Sequence, residues 1–203
     1  MKQLLTEAPL EAFLEPSPLI QTKAAEIAAF SSVNLEDCDE VEATRRVFLF
    51  VRDEVKHSWD IQSHRVTRSA SEVLAYREGI CYAKSHLAAA LLRKRGIPTG
   101  ICYQRLTLLD DDSLGYAIHA LNTVYLASLG RWIRFDARGN KLGVDAQFST
   151  DEERLAFSIR ANYAEVDYLY NHPTPHPAIV ETLNSNDDAI VMYRERLPDR
   201  LEY

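Results

Sequence analysis

The sequence predicts an α+β domain in which helices pack on an antiparallel β-sheet. In the first half of the chain, helix-forming residues carry apolar side chains at helical spacing. In the middle of the chain the pattern changes to short segments rich in β-branched and aromatic residues. The length of 203 residues suits a single domain over 1–203, with a core over about 39–148 and extensions on both sides.

Three helices are predicted before the middle of the chain. Pro18–Phe30 is rich in helix formers, and Asp39–Val55 places apolar residues at helical spacing behind acidic residues at its start. A third, short helix follows a capping box, in which Ser69 precedes Glu72 by three residues. We expect Gly79 to end this helix.

The segment Cys81–Arg95 is the strongest predicted helix. It is dense in Ala and Leu, it closes with three basic residues, and Gly96 follows it. Cationic side chains stabilise the negative end of a helix dipole. Because the segment is apolar almost all round, we expect this helix to be buried.

Three strands are predicted next, over Gly100–Leu108, His119–Leu126 and Arg131–Ala137. The polar segment Asp110–Gly115 predicts a hairpin-like loop between the first two strands. Nearer the C-terminus, we expect no regular structure in the proline-rich segment 171–177 and one or two short helices in 181–197.

Composition and charge favour a protein of the cytoplasm. The formal net charge is −7 and the isoelectric point about 5.4, which argues against nucleic-acid binding. No apolar run is long enough to span a membrane, and the N-terminal segment lacks the pattern of a signal peptide. Three widely spaced cysteines are more consistent with reduced thiols than with disulfides.

Cys81 is the candidate nucleophile because it opens the predicted buried helix. The unpaired N–H groups and the positive end of the dipole at a helix start stabilise a thiolate, which is the nucleophilic form of cysteine. The same N–H groups can bind the oxyanion of a tetrahedral intermediate. A lone cysteine at a helix start is more often simply a small buried residue.

His119 and Asp136 are candidates for the base and for the acid that orients it. His119 begins one predicted strand and Asp136 lies near the end of the next. If these strands are antiparallel neighbours, the two side chains can face each other. An acid in that position fixes the imidazole tautomer and stabilises the imidazolium. Taken singly, a histidine or an aspartate in a strand is more often structural or solvated.

The segments that contain these residues resemble the transglutaminase-like superfamily. The stretch GICYAKSHLAAALLRKRGIPTGICYQRL is similar to its Gly-x-Cys helix and Arg-x-x-Gly-Ile-Pro signature. HALNTVYL resembles its histidine strand and RWIRFDARGNK its aspartate strand, within a similarity that extends over about 51–148. The resemblance implies a papain-like α+β fold with a Cys81, His119 and Asp136 triad.

The sequence departs from the family pattern at two points. After His119-Ala stands Leu121 where relatives usually have Trp, and Asp136 is followed by Ala-Arg-Gly-Asn where many relatives have Thr after one further residue. The triad residues are unaffected, but substrate preference does not carry over from typical members. The flanking segments look like those of a bacterial subgroup.

Several other residues are secondary candidates for the site. Side-chain donors to the oxyanion, or substrate-binding residues, are sought among four residues before or beside the nucleophile: Trp59, Gln62, His64 and Tyr82. Lys84 is a possible cleft residue or a solvated one, and Arg138 and Asn140 line the site or cap a turn. Packing or a surface position explains His86, and packing explains Cys102. A metal pair of His172 and His176 is disfavoured by the prolines around them.

The predicted chemistry is acyl transfer from an amide or ester through a thioester. Hydrolysis by a peptidase, amidase or deamidase is favoured over transamidation, because a domain of this size has little room for a second substrate site. The alternatives are a transamidase and a non-catalytic peptide- or protein-binding module. We expect a peptide, protein or small amide substrate, no metal or organic cofactor, and no nucleic-acid or membrane partner; the oligomeric state is left open.

Overall fold

A computed structural model describes residues 2–108 and 112–203 of the chain. It shows the predicted α+β architecture, with a buried helix packed on a four-stranded antiparallel sheet. Within the described residues no helix combines the length and the apolar character needed to cross a bilayer.

The N-terminal region contains less helix than the sequence predicts. A 3₁₀ turn spans Leu10–Phe13, and α1 covers only Ala25–Ala28 of the predicted 18–30 helix. The backbone between these two turns makes non-helical hydrogen bonds. The carbonyl of Leu19 accepts from the N–H of Ala70, and the hydroxyl of Ser17 accepts from the backbone N–H of Ile20. Tertiary contacts that bury Ile20 therefore override helix propensity here.

The second predicted helix is confirmed. α2 spans Glu40–Leu49, its N-cap Asp39 accepts from the N–H of Glu42, and a π-helical turn continues it over Phe50–Glu54. Phe48 is fully buried.

The capping box is also confirmed, since α3 spans Ala70–Tyr76 and both reciprocal hydrogen bonds of Ser69 and Glu72 are present. The prediction that Gly79 ends α3 is wrong: Arg77 ends it in the left-handed conformation, with φ 55°.

Gly79 instead lies in a short parallel pair of strands, β1 (Lys56–His57) and β2 (Glu78–Gly79). A Cβ at this position would come within 2.9 Å of the hydroxyl of Thr67. Gly79 therefore permits close packing directly before the buried helix. This pair also draws the loop that follows His57 towards the start of that helix.

The buried helix, α4, spans Cys81–Lys94 as predicted, and Gly96 follows it with φ 80°. Two hydrogen bonds tie it to the sheet: Tyr82 donates to the carbonyl of Ile118, and Asn122 donates to that of Ser85. The start of α4 is thereby fixed against the strand that carries His119.

The sheet has the strand order β5 (Arg131–Phe135), β4 (Tyr116–Leu126), β3 (Thr99–Thr107) and β6 (Val166–His172), and all neighbouring strands are antiparallel. The three predicted strands are confirmed as β3 (Thr99–Thr107), β4 (Tyr116–Leu126) and β5 (Arg131–Phe135). β4 begins three residues before His119, so this histidine lies within the strand. Residues 110 and 111 of the predicted 110–115 loop lie outside the described residues.

The C-terminal region contains a strand that the sequence analysis missed. β6 spans Val166–His172, and α5 (Pro177–Asn184) and α6 (Ala189–Glu195) follow it. The prediction of no regular structure over 171–177 is therefore wrong at both ends, because β6 includes residues 171 and 172 and Pro177 is tolerated at the first position of a helix. The expected short helices are present.

Candidate active site

Cys81 is the first residue of α4, and it is 9% exposed at the wall of a cavity of about 970 Å³. The N-cap residue, Ile80, provides no side-chain acceptor for the N–H groups of the first turn. These groups therefore remain available to an anion beside the Cys81 sulfur.

Antiparallel pairing of β4 and β5 brings His119 and Asp136 together. Asn122 faces Phe135 in this pair, so Asp136 follows the end of β5 beside His119. The Nε2 atom of His119 lies 2.8 Å from Oδ2 of Asp136. The Cys81 sulfur lies close enough to raise the pKa of His119, and the ring of His119 meets Phe157 edge-on, with the ring centroids 5.1 Å apart. One imidazole thus pairs with the carboxylate and interacts electrostatically with the sulfur.

The carboxylate of Asp136 is fully buried and accepts three hydrogen bonds. Besides His119, the N–H groups of Arg138 and Ala156 donate to it, each over 3.1 Å. Burial alone would raise the pKa of Asp136, but His119 and these donors outweigh it and lower the pKa. Asp136 is therefore held as an anion in a fixed orientation.

Burial opposes the protonation of His119, but the nearby Asp136 carboxylate and Cys81 sulfur outweigh it and raise the pKa of His119 to about 10. An imidazolium is therefore the favoured form at neutral pH. An imidazolium next to a sulfur stabilises a thiolate.

Among the secondary candidates, Trp59 lines the cavity and its indole stacks on Tyr193, with centroids 4.3 Å apart and an interplanar angle of 13°. Tyr82 also borders the cavity, but it is fully buried and its phenol donates to the carbonyl of Ile118 over 2.9 Å. Of the two, Trp59 is the one whose side-chain donor, the indole N–H, is used by none of the hydrogen bonds among the described residues.

Gln62 and His64 are not among the residues that line the cavity. Gln62 donates to the carbonyl of Trp59, and Nδ1 of His64 lies 2.7 Å from Asp188 on an exposed surface. The structure therefore does not bring these two side chains to Cys81. Their contacts hold the loop that carries Trp59.

Arg138 lines the cavity and forms a two-pronged ion pair with Asp60, over 2.5 and 2.9 Å. Lys141 binds the same carboxylate over 2.9 Å, and both cations lower the pKa of Asp60 although burial raises it. Asn140 shapes the following turn, accepting from the N–H of Ala146 over 2.8 Å. Sequence analysis missed Asp60, although this residue directly follows the candidate site residue Trp59.

Lys84 is neither at the cleft nor solvated, which corrects both expectations for it. Its side chain is buried, and its amine donates to the carbonyl of Val55 over 2.5 Å. Burial, with Arg138 nearby, lowers the pKa of Lys84 to about 7. The α4 sequence carried no sign of this, because a lysine in a helix is ordinarily exposed.

His57 is a buried cavity residue that sequence analysis also missed. Its Nδ1 atom has no hydrogen-bond partner among the described residues. Burial, with Arg138 and Lys84 nearby, lowers its pKa well below the ordinary value, so the ring is neutral.

The remaining candidates have structural contacts. His86 is buried against the carbonyl of Arg68, and Cys102 lies in the core within β3. His172 lies in β6, whereas His176 caps α5. Across residues 2–108 and 112–203, no group of three or more His, Cys, Asp or Glu side chains could hold a metal ion.

Residues 29–137 match the family model of the transglutaminase-like superfamily. No curated protein matches the sequence significantly. The chain is similar to the crystal structure of a candidate cysteine protease from Cytophaga hutchinsonii, with 21% sequence identity and a TM-score of 0.46. This similarity covers 67% of the chain and 46% of that protein, so the chain spans about half of that protein's length.

Proposed function

The chain belongs to the transglutaminase-like superfamily, and from this premise we propose that it is a cysteine-dependent acyl-transfer enzyme. In this proposal Cys81 is the nucleophile, His119 the general base and acid, and Asp136 the residue that orients His119. The observation that carries the proposal is the imidazole of His119, which lies 2.8 Å from Asp136 and lines the same cavity as Cys81, whose sulfur raises the pKa of the ring.

Acylation begins from a thiolate and imidazolium pair. The Cys81 sulfur attacks the carbonyl carbon of an amide or ester, a C–S bond forms, and the carbonyl electron pair moves onto oxygen. As the intermediate collapses, the bond to the leaving group breaks and His119 gives its proton to the leaving amine or alcohol. The products are a thioester on Cys81 and a neutral imidazole. Asp136 stabilises the imidazolium until His119 transfers its proton to the leaving group.

Deacylation reverses these roles. Neutral His119 takes a proton from water, the resulting hydroxide attacks the thioester carbonyl, and the C–S bond breaks to return the thiolate. Hydrolysis is favoured over transamidation because a domain of this size has little room for a second substrate site. Leu142, which lines the cavity, is fully exposed, so solvent reaches the rim of the cavity.

The oxyanion is assigned to two donors, the backbone N–H of Cys81 and the indole N–H of Trp59. The first lies at the uncapped start of α4. The second belongs to a residue that lines the same cavity. A donor in such a position contributes about 10²- to 10³-fold to the rate of acyl transfer.

The proposal is tested by alkylation with iodoacetamide at pH 7, followed by mass spectrometry of the three cysteines. We expect rapid modification of Cys81, and slower modification of Cys38, which is half-buried and serves as the internal control. His119→Ala should slow the reaction of Cys81 and leave that of Cys38 unchanged. Sluggish and equal labelling of all the cysteines would instead indicate a binding module without catalysis.

A library of peptides and small amides, screened for a mass-trapped thioester on Cys81, then identifies the substrate class. Each substrate is incubated with and without a primary alkylamine. A carboxylic acid product in both samples supports hydrolysis, whereas an amide formed only with the amine supports transamidation.

A further inference from the structure

Trp59 lies in a loop that is held by backbone hydrogen bonds, and its indole stacks on a residue of α6. Its carbonyl accepts from the backbone N–H of Gln62 over 3.2 Å, and the N–H of the preceding Ser58 donates to Gly79. The indole itself stacks on the ring of Tyr193, and the guanidinium of Arg194 lies 5.7 Å from the indole centroid. Both of these neighbours lie on α6.

α6 is anchored to the far end of the same loop. Asp188 caps α6 through Oδ1, which accepts from the N–H groups of Ile190 and Val191, and its Oδ2 lies 2.7 Å from Nδ1 of His64. The N–H of Ala189 also donates to the carbonyl of His64 over 2.9 Å. The helix and the loop are therefore joined at residues 188–189 and again at the ring stack.

Tyr193 is itself part of the cavity wall. It lines the cavity with Cys81, and His57 meets its ring edge-on with centroids 6.2 Å apart. Burial and the nearby Cys81 sulfur raise the pKa of Tyr193 to about 12, so its phenol remains neutral. Its aromatic ring thus presents a flat, uncharged surface beside the nucleophile.

We propose that Tyr193 is a positioning residue that holds the indole of Trp59 by stacking, so that the indole N–H faces the oxyanion formed at Cys81. This inference rests on the proposed function. Stacking fixes the plane of the indole, and the N–H bond lies in that plane and points away from its edge. Tyr193 lies beyond residue 137, where the family match ends, so α6 completes a site whose reacting residues all lie within the match.

The test compares two reactions of Cys81 that differ in their need for an oxyanion donor. p-Nitrophenyl acetate acylates the thiolate through a tetrahedral oxyanion, whereas iodoacetamide alkylates it by displacement without one. The variants are Tyr193→Leu, which removes the stack, and Tyr193→Phe, which keeps the ring and loses only the hydroxyl. Trp59→Phe and the double variant Trp59→Phe/Tyr193→Leu complete a cycle.

We expect Tyr193→Leu to lower the acylation rate constant roughly 10- to 100-fold, since a misplaced group costs up to about 10²-fold. Alkylation should change by less than about twofold. Tyr193→Phe should acylate about as fast as the wild type, and the double variant should be no slower than Trp59→Phe alone. An equal loss in both reactions, an unaffected acylation rate, or independent losses in the double variant would overturn the inference.

A second measurement does not depend on catalysis. In a Trp132→Phe background, Trp59 is the sole tryptophan, because the chain has two. Acrylamide should quench its fluorescence more strongly when Tyr193 is Leu than when it is Tyr or Phe. If Cys81 of the wild type is not acylated but the difference in quenching is present, the proposed function is refuted and the stacking of Trp59 on Tyr193 is confirmed. Equal quenching in all three proteins refutes the positioning role itself.

Discussion

At the scale of single residues, the site depends on charges that are buried in pairs. Asp136 is fully buried and His119 is 6% exposed, and each makes the charged form of the other more favourable. Breaking such a pair leaves an uncompensated charge. Lys84 shows the contrasting case, because its amine is buried on a backbone carbonyl.

Asp136→Asn keeps the size of the side chain and removes its charge. We expect the acylation rate of Cys81 by p-nitrophenyl acetate at pH 7 to fall by about 10²- to 10⁴-fold, because the amide cannot stabilise the imidazolium. The pKa of His119 is raised to about 10 in the wild type, so the alkaline limb of the pH–rate profile should move to lower pH in the variant. An unchanged limb would show that Asp136 does not govern His119.

The same raised pKa predicts the sign of a stability effect. The contribution of His119 to the free energy of unfolding is fully present below its unfolded value of 6.5 and is lost as the pH rises towards about 10. This loss should be smaller in Asp136→Asn. Urea unfolding followed by circular dichroism at pH 6 and pH 9.5 provides the comparison.

Lys84→Met tests the buried amine. The pKa of Lys84 is lowered from 10.5 to about 7, so between these values the unfolded chain holds a proton that the folded chain has released. Wild-type stability therefore gains from this group as the pH rises through the window, by at most about 1.4 kcal/mol per pH unit. The variant lacks this gain, so its stability relative to the wild type should decline from pH 7 to pH 10.

Urea titrations at several pH values measure this difference, and the contribution of His119 cancels because both proteins contain it. Lys23→Met, at an exposed position, is the matched control. A constant difference between the wild type and Lys84→Met across the window would contradict the assignment.

At the scale of elements, local chemistry fixes several boundaries. The Ser69 and Glu72 capping box begins α3, and α4 begins at Cys81 directly after β2. The packing of the strands depends on contacts between residues that are far apart in the sequence. Gly100 in β3 faces Thr123 in β4 and the side chain of Asn171 in β6. These two side chains can pack against the middle of β3 because Gly100 has no Cβ.

Gly100→Ala should destabilise the sheet. The added Cβ would lie 2.5 Å from the hydroxyl of Thr123 and in closer conflict with the amide oxygen of Asn171. We expect a loss of about 1–3 kcal/mol or more in the free energy of unfolding. The double variant Gly100→Ala/Asn171→Ala should lose less than the sum of the single changes, and strict additivity in urea unfolding would exclude this clash as the cause.

At the scale of the whole molecule, a buried ion network joins distant parts of the chain. Arg134 in β5 donates to Asp167 over 2.6 and 3.0 Å and to Glu153 over 3.0 and 2.7 Å, and Lys2 also binds Asp167. The network lies on the opposite face of β5 from Phe135, which belongs to the main core. It therefore ties the N-terminal segment, the segment after β5 and β6 to one side of the sheet.

Arg134→Met should destabilise the protein by about 3–5 kcal/mol at pH 7, because two carboxylates lose their buried partner. In the wild type the pKa of Asp167 is lowered, so this carboxylate stabilises the fold above its unfolded value of 3.8 and the effect is lost as the pH falls. The deficit of the variant should accordingly stay constant between pH 7 and pH 4 and shrink only as the pH falls below 3.8.

Arg154→Met is the control for this change, because Arg154 pairs with Asp145 over 3.6 Å at an exposed site. We expect it to cost less than about 1 kcal/mol. Equal losses for the two arginine variants in urea unfolding would contradict a structural role for the buried network.

Much of this molecule follows from short-range patterns in its sequence. The α+β class, the helix that begins at Cys81 and the capping box of α3 each depend on residues within a few positions of one another. The strands that contain His119 and precede Asp136 were predicted for the same reason. The roles of these residues in catalysis remain a prediction.

Tertiary structure decided what depends on partners far along the chain. A hydrogen bond from Ala70, the first residue of α3, to Leu19 replaces helical bonding within the predicted 18–30 helix, and pairing with β3 makes a strand of Val166–His172. Packing between separate elements buries Lys84 and stacks Tyr193 on Trp59. Sequence alone determined the elements whose signals are local, such as the capping box of α3 and the helix that begins at Cys81. Only the folded chain could decide which side chains meet, because such contacts join residues that no local pattern relates.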